Sequence, residues 1–129
     1  MVIHHQILLS AFIKKTNVHN LKSLGGIFMI ALIAKLTAIE GKETEMKSAL
    51  EKMVAAVDQT EPDVSHYELH VSNENPCEFY FYERYENSDA QNAHRTTEHM
   101  RQLGQTLKDI TGAKPEITQL TWLTGVNRN

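Results

Sequence analysis

The chain has 129 residues, a formal net charge of −3 and both signs of charge interspersed, so it has no clustered basic face to neutralise a nucleic-acid backbone. Its 41% hydrophobic and 22% charged content are ordinary for a globular protein, and its length suits one domain. No apolar run reaches the roughly 18 residues of a membrane span. The lone cysteine, Cys77, cannot form an internal disulfide, which points to a reducing, cytoplasmic setting, and the short apolar runs point to no membrane partner.

Residues 1–28 differ in pattern from the remainder of the chain. Their periodicity is weak, and the apolar patch Ile7 to Ile13 precedes Lys14-Lys15, the reverse of the charge order in a secretory signal. Two readings stand: a genuine extension with a short amphipathic helix around Ile7 to Lys15, or a mis-assigned start with Met29 as the first true residue. The strand pattern that begins directly after Met29 favours the second. His4, His5 and His19 read as solvated, and no chemistry is placed there.

From Ile30 to Ala38 the chain alternates as a strand. Ile30, Leu32, Ala34 and Leu36 form an apolar set expected to face helices, and the other face turns polar at Lys35 and Thr37. After Gly41, residues 42–59 carry Met46, Leu50, Met53 and Val57 on one helical stripe, and Pro62 forbids continuation. His66 to Ser72 and Glu78 to Tyr85 read as a hairpin across the turn Asn73 to Pro76. Cys77 lies in that loop with no activating neighbour in sequence and reads as structural.

In the second of these strands Phe79, Phe81, Glu83 and Tyr85 share one face, and Tyr80, Tyr82 and Arg84 the other. Ser88 to Gln91 has the S-x-x-Q capping pattern and opens a short helix carrying His94. Thr96 or Thr97 caps again, and a longer helix runs to about Ile110, with Gly112 as its terminal glycine. Glu116 to Thr124 is a last strand bearing Trp122, and residues 125–129 are a polar tail.

The order β-α-β-β-α-β predicts a ferredoxin-like α+β domain over 29–124, a four-stranded antiparallel sheet with helices on one face. The uncovered face, including Ile33 and an aromatic set, predicts a homodimer in which a second copy packs sheet against sheet. Histidine suits proton abstraction near neutrality, which makes His94 and His99 the first candidates for chemistry. Glu83 is a carboxylate in an otherwise aromatic strand and must pair, reach water or shift its pKa. Tyr82, Tyr85 and Trp122 could stack on a flat substrate. His66 and His70 lie about 13 Å apart at strand rise, too far to share a metal. No Cys/His spacing, HExxH or Gly-rich phosphate loop is present, so the sequence shows no sign of a metal, flavin or nucleotide cofactor.

Tyr67-Glu68-Leu69, Phe81-Tyr82-Glu83-Arg84-Tyr85, Asp89-Ala90, His94, and the His99 that follows Thr96-Thr97 together resemble the antibiotic biosynthesis monooxygenase family in its small quinol-monooxygenase branch, over about Met29 to Leu123. The resemblance implies a dimeric α+β barrel and oxidation of a quinol or similar electron-rich aromatic by O2 without a cofactor. It makes His94 the base, with Glu83 orienting either His94 or the substrate, and Tyr82, Tyr85 and Trp122 the walls around the ring. A haem-degrading branch resembles the chain less, since Lys35 stands at its asparagine and Gly104 near its axial histidine. Relatives that isomerise a phosphorylated sugar-like signalling molecule have a segment similar to AHRTTEH. On that reading His94 and His99 move a proton while Lys35 or Arg84 meets the phosphate. A third reading is a small-molecule-binding dimer without turnover.

Overall fold

The computed structural model describes residues 28–128; the helix expected near the N-terminus lies outside them. The elements are β1 (Ile30–Thr37), α1 (Glu43–Thr60), β2 (Val64–Val71), β3 (Glu78–Tyr85), α2 (Ser88–Arg95), α3 (Glu98–Leu107) and β4 (Glu116–Leu120). All strand pairs are antiparallel, in the order β2-β3-β1-β4, and this is the ferredoxin-like α+β sheet expected from the element order.

Strand alternation decides the layers. Ile30, Leu32, Ala34 and Leu36 of β1 and Phe79, Phe81, Glu83 and Tyr85 of β3 are all buried on the helix side. Register pairs Leu32 with Glu83 and Ala34 with Phe81, and Tyr67 of β2 lies opposite Glu83. Helix α1 lays Met46, Leu50, Met53 and Val57 onto this surface, each at most 2% exposed. Leu103, Leu107 and Ile110 close the core from the other end.

Three of the boundaries that differ from the sequence reading bear on the site and its surroundings. Asn87, not Ser88, caps α2: its Oδ1 accepts from Ala90 N–H at 2.9 Å, and Ser88 is buried as the first helical residue. Asn at this position offers its side-chain oxygen to the open N–H groups as well as Ser does. Helix α3 stops at Leu107, so Gly112 is not its terminal glycine. Instead Gly112 lets β1 approach: its N–H donates to Thr37 O at 2.8 Å, and a Cβ there would lie 3.1 Å from Ala38 O. Strand β4 ends at Leu120, which leaves Trp122 outside the sheet and 51% exposed.

The open face of the sheet is mixed. Ile33, 37% exposed, sits between Tyr82 and Thr118 in register, whereas Lys35 is paired with Glu78 at 3.3 Å and Glu116 at 3.6 Å. Leu50 is fully enclosed, so Leu50→Ala should lower the free energy of unfolding by about 2–5 kcal/mol in urea titrations. Val71→Ala, at a half-exposed strand end, should change it by only about 0.5 kcal/mol.

Candidate active site

His94 occupies the last turn of α2 and is 2% exposed. Its ring lies between two phenol rings, Tyr67 at 5.2 Å and Tyr85 at 5.4 Å between centroids, which fixes its tilt. Nδ1 is 2.9 Å from Oε1 of Glu61 and 3.2 Å from Oε2. His99, on the first turn of α3, places Nε2 2.5 Å from Oε2 of the same carboxylate. One carboxylate therefore joins two imidazoles.

The loop between the histidines holds them in place. Thr97 Oγ1 donates to His94 O at 2.9 Å and accepts from Met100 N–H at 3.2 Å. The end of α2 and the start of α3 are thus tied through one side chain, a cap predicted by the Thr96-Thr97 pair. Glu61 is anchored from the opposite side, as the residue that caps the C-terminus of α1, with its N–H donating to Val57 O at 2.9 Å.

The charge state of Glu61 follows from opposing effects. Burial acts to raise its carboxyl, but the hydrogen bonds and positive potential of His94, then of His99, outweigh it and hold the group below the usual glutamate range. An ionised carboxylate only accepts, so His94 Nδ1 must carry the proton it shares with Glu61. In the neutral ring that leaves Nε2 as an acceptor. Nε2 is buried and has no hydrogen-bond partner.

His94 lines a cavity between the sheet and α3, whose walls include Leu32, Phe81, Leu103 and Ile117. Glu61 and His99 stand outside it, on the Nδ1 side of the ring. Besides His94, its polar members are Glu83, Tyr85, Tyr67, Arg95 and Thr111. Tyr85 O–H donates to Glu83 Oε1 at 2.5 Å. Burial pushes Glu83 up, against the pull of His94 and the Tyr85 hydrogen bond. Burial, followed by the charge of Glu83, also drives Tyr85 and Tyr67 well above the usual phenol range, so both stay protonated. Arg95 Nη2 donates to Asn92 at 2.8 Å, and its Nε is buried without a partner. The free volume is about 60 Å³, so an aromatic ring enters only if the wall opens, and Met100 is its most adaptable side chain.

Of the sequence candidates, the fold brings His94, Glu83 and Tyr85 to this cavity. His99 meets His94 through Glu61 rather than across the cavity. Tyr82, Lys35 and Arg84 lie on the opposite face of the sheet: Tyr82 packs edge-on to His66, and the Arg84 guanidinium rests on the sulfur of Met29. Trp122 is beyond β4 and forms no wall. Glu83 hydrogen-bonds Tyr85 and not His94, so the His94 ring is oriented by Glu61, while Glu83 stays on the cavity wall. The thiol of Cys77 is pushed up by burial and by Glu43, in keeping with a structural role.

Sequence reasoning missed Glu61, Arg95 and the wall position of Tyr67. Glu61 carried a readable signal. A carboxylate at a helix C-terminus opposes the helix dipole, and α1 has no basic residue in its last turn, so Glu61 needed cations from elsewhere. Tyr67 was readable from its place on the face of β2 that pairs with Glu83.

The sequence profile of the family described as antibiotic biosynthesis monooxygenase matches residues 29–105. No curated protein matches the chain. Among solved structures, the Pseudomonas aeruginosa protein PA3566 is 26% identical, with a TM-score of 0.70 over 75% of this chain and 96% of its own. A candidate antibiotic biosynthesis monooxygenase from Caulobacter crescentus is 24% identical, with a TM-score of 0.73 over 82% and 100%. The Mycobacterium tuberculosis protein Rv0793 is 20% identical, with a TM-score of 0.69 over 77% and 99%. The latter two share the fold.

A depressed folded pKa contributes stability that is present above the ordinary glutamate value of 4.5 and is lost as pH falls through the lower folded value. Glu61→Gln cannot ionise. Urea unfolding measured from above 4.5 downward should therefore show the wild type losing more stability across that window than the variant.

Proposed function

Since the chain belongs to the antibiotic biosynthesis monooxygenase family, we propose that it oxidises a quinol or similar electron-rich aromatic with O2 and needs no cofactor, His94 acting as the base. The observation that carries this reading is the buried, unpartnered Nε2 of His94 on the wall of an apolar cavity, with Nδ1 held by Glu61.

Nε2 removes the phenolic proton, and Glu61 stabilises the positive ring that results, without itself taking the proton. The anion passes one electron to O2. The resulting radical and superoxide recombine by forming a carbon–oxygen bond; the peroxide takes back the proton held on Nε2, loses the hydrogen on the same carbon and breaks its O–O bond, leaving a carbonyl on the ring, one water and a neutral His94. All four electrons that reduce O2 to the carbonyl oxygen and water come from the quinol, so no external reductant is required. Apolar walls exclude water and keep the radical pair together. The unpaired Nε of Arg95 offers a donor to the phenolate, and the protonated Tyr85, fixed on Glu83, walls the ring.

The isomerase alternative required Lys35 or Arg84 beside the two histidines. Both sit across the sheet from His94, and Lys35 is already held by two carboxylates, which favours the oxidation reading over it. A homodimer formed through the open sheet face, with Ile33, Tyr82 and Leu120 at its centre, completes the proposal; a second copy is the self-complementary cover for such a surface. The protein is placed in the cytoplasm, in keeping with its lone thiol, and no described helix is long and apolar enough to cross a membrane.

An oxygen electrode with a panel of reduced benzoquinones and naphthoquinones tests the reaction. The wild type should consume O2 above the uncatalysed rate, and His94→Ala should lose about 100-fold or more. No uptake with any member of the panel, or full uptake by His94→Ala, contradicts it. Native mass spectrometry should give twice the chain mass, and a single-chain mass contradicts the dimer.

A further inference from the structure

The cluster on the outer side of His94 has a donor set of its own. We propose that Glu61, His94 and His99 form a site for one divalent transition-metal ion, bound through the Glu61 carboxylate, Nδ1 of His94 and Nε2 of His99. The three donor atoms lie within 4.8 Å of one another. They come from three segments, the end of α1, the end of α2 and the start of α3, and both imidazole nitrogens converge on the one carboxylate. Two imidazole nitrogens and one carboxylate oxygen suit zinc, cobalt, nickel, iron(II) or manganese, whereas magnesium and calcium prefer oxygen alone.

The distances fit with one small movement. Bonds of about 2.0–2.2 Å to a common ion place neighbouring donors about 3 Å or slightly more apart. His94 Nδ1 already stands 2.9 and 3.2 Å from the two Glu61 oxygens. His99 Nε2, at 2.5 Å, must draw back by roughly half an ångström. It is the member best able to do so: its side chain is 20% exposed, against 3% for His94 and 10% for Glu61. The same exposure gives an ion a route in from solvent and leaves room for water to complete its coordination.

Binding has a consequence for the cavity. An ion on Nδ1 displaces the proton shared with Glu61, and a neutral ring must then carry its proton on Nε2. Nε2 changes from acceptor to donor, so the ion switches off a base at that atom. This last step matters to turnover only if the proposed oxidation holds; the site itself does not depend on it.

Cobalt(II) titration of the full-length chain followed by visible absorption, with zinc(II) calorimetry alongside, tests the site. The wild type should bind one ion at this site, and His99→Ala and Glu61→Gln should each weaken that binding at least tenfold while circular dichroism shows the fold retained. Since the His99 side chain is only partly buried and glutamine keeps the shape of glutamate, both variants should fold. The variants also separate this site from any binding at His4, His5 and His19, which would survive in both. Nitrogen-15 spectra of the zinc-saturated chain should show His94 Nε2 protonated. No saturable binding below about millimolar ion, unchanged affinity in the two variants, or an unprotonated Nε2 with zinc bound overturns the proposal. Each readout is independent of oxygen uptake, so failure of the oxidation assay leaves the result standing.

Discussion

The structure around His94 depends on one carboxylate accepting from two rings. Glu61 ends a helix at the pole that repels negative charge, inside a partly dry environment, and two imidazoles make that position tenable. The restraint works in both directions. Because the carboxylate is ionised, it dictates which nitrogen of His94 holds the proton, and so which nitrogen faces the cavity bare.

The rest of the fold makes that bare nitrogen useful. The aromatic face of β3, held against β1 by an unbroken antiparallel register, supplies Phe81 and Tyr85 on the same side as Glu83. Stacking of Tyr67 on Phe81 at 4.5 Å carries the wall into β2, and both Tyr67 and Tyr85 contact the His94 ring. Position is therefore set by packing, and protonation state by Glu61. The two controls come from different parts of the chain. A change in cavity shape need not disturb the tautomer, and a change at the carboxylate need not disturb the walls.

Most of the fold was legible in the sequence, because alternation in β1 and β3 and the stripe of α1 are strong local patterns. The capping residue was misplaced by one position, because Asn87 and Ser88 both offer a suitable oxygen and only the backbone path decides between them. The site was half legible. His94, Glu83 and Tyr85 declare themselves by type and by strand parity. Tyr82 and Arg84 have the opposite parity to Tyr85, so strand alternation alone already separated them from it. The assignment of Tyr82 to the wall followed the resemblance rather than the alternation. Trp122 was lost because β4 ends before it. Glu61 lies 33 residues from His94 and 38 from His99, and only the folded chain joins them.

The central claim is that Glu61 fixes the proton of His94 on Nδ1. Nitrogen-15 spectra of the histidine rings in the metal-free protein near neutral pH measure it directly. The account predicts that His94 shows a protonated Nδ1 and an unprotonated Nε2, and that Glu61→Gln abolishes this preference. A His94 ring with its proton on Nε2, or a preference that survives Glu61→Gln, would contradict it.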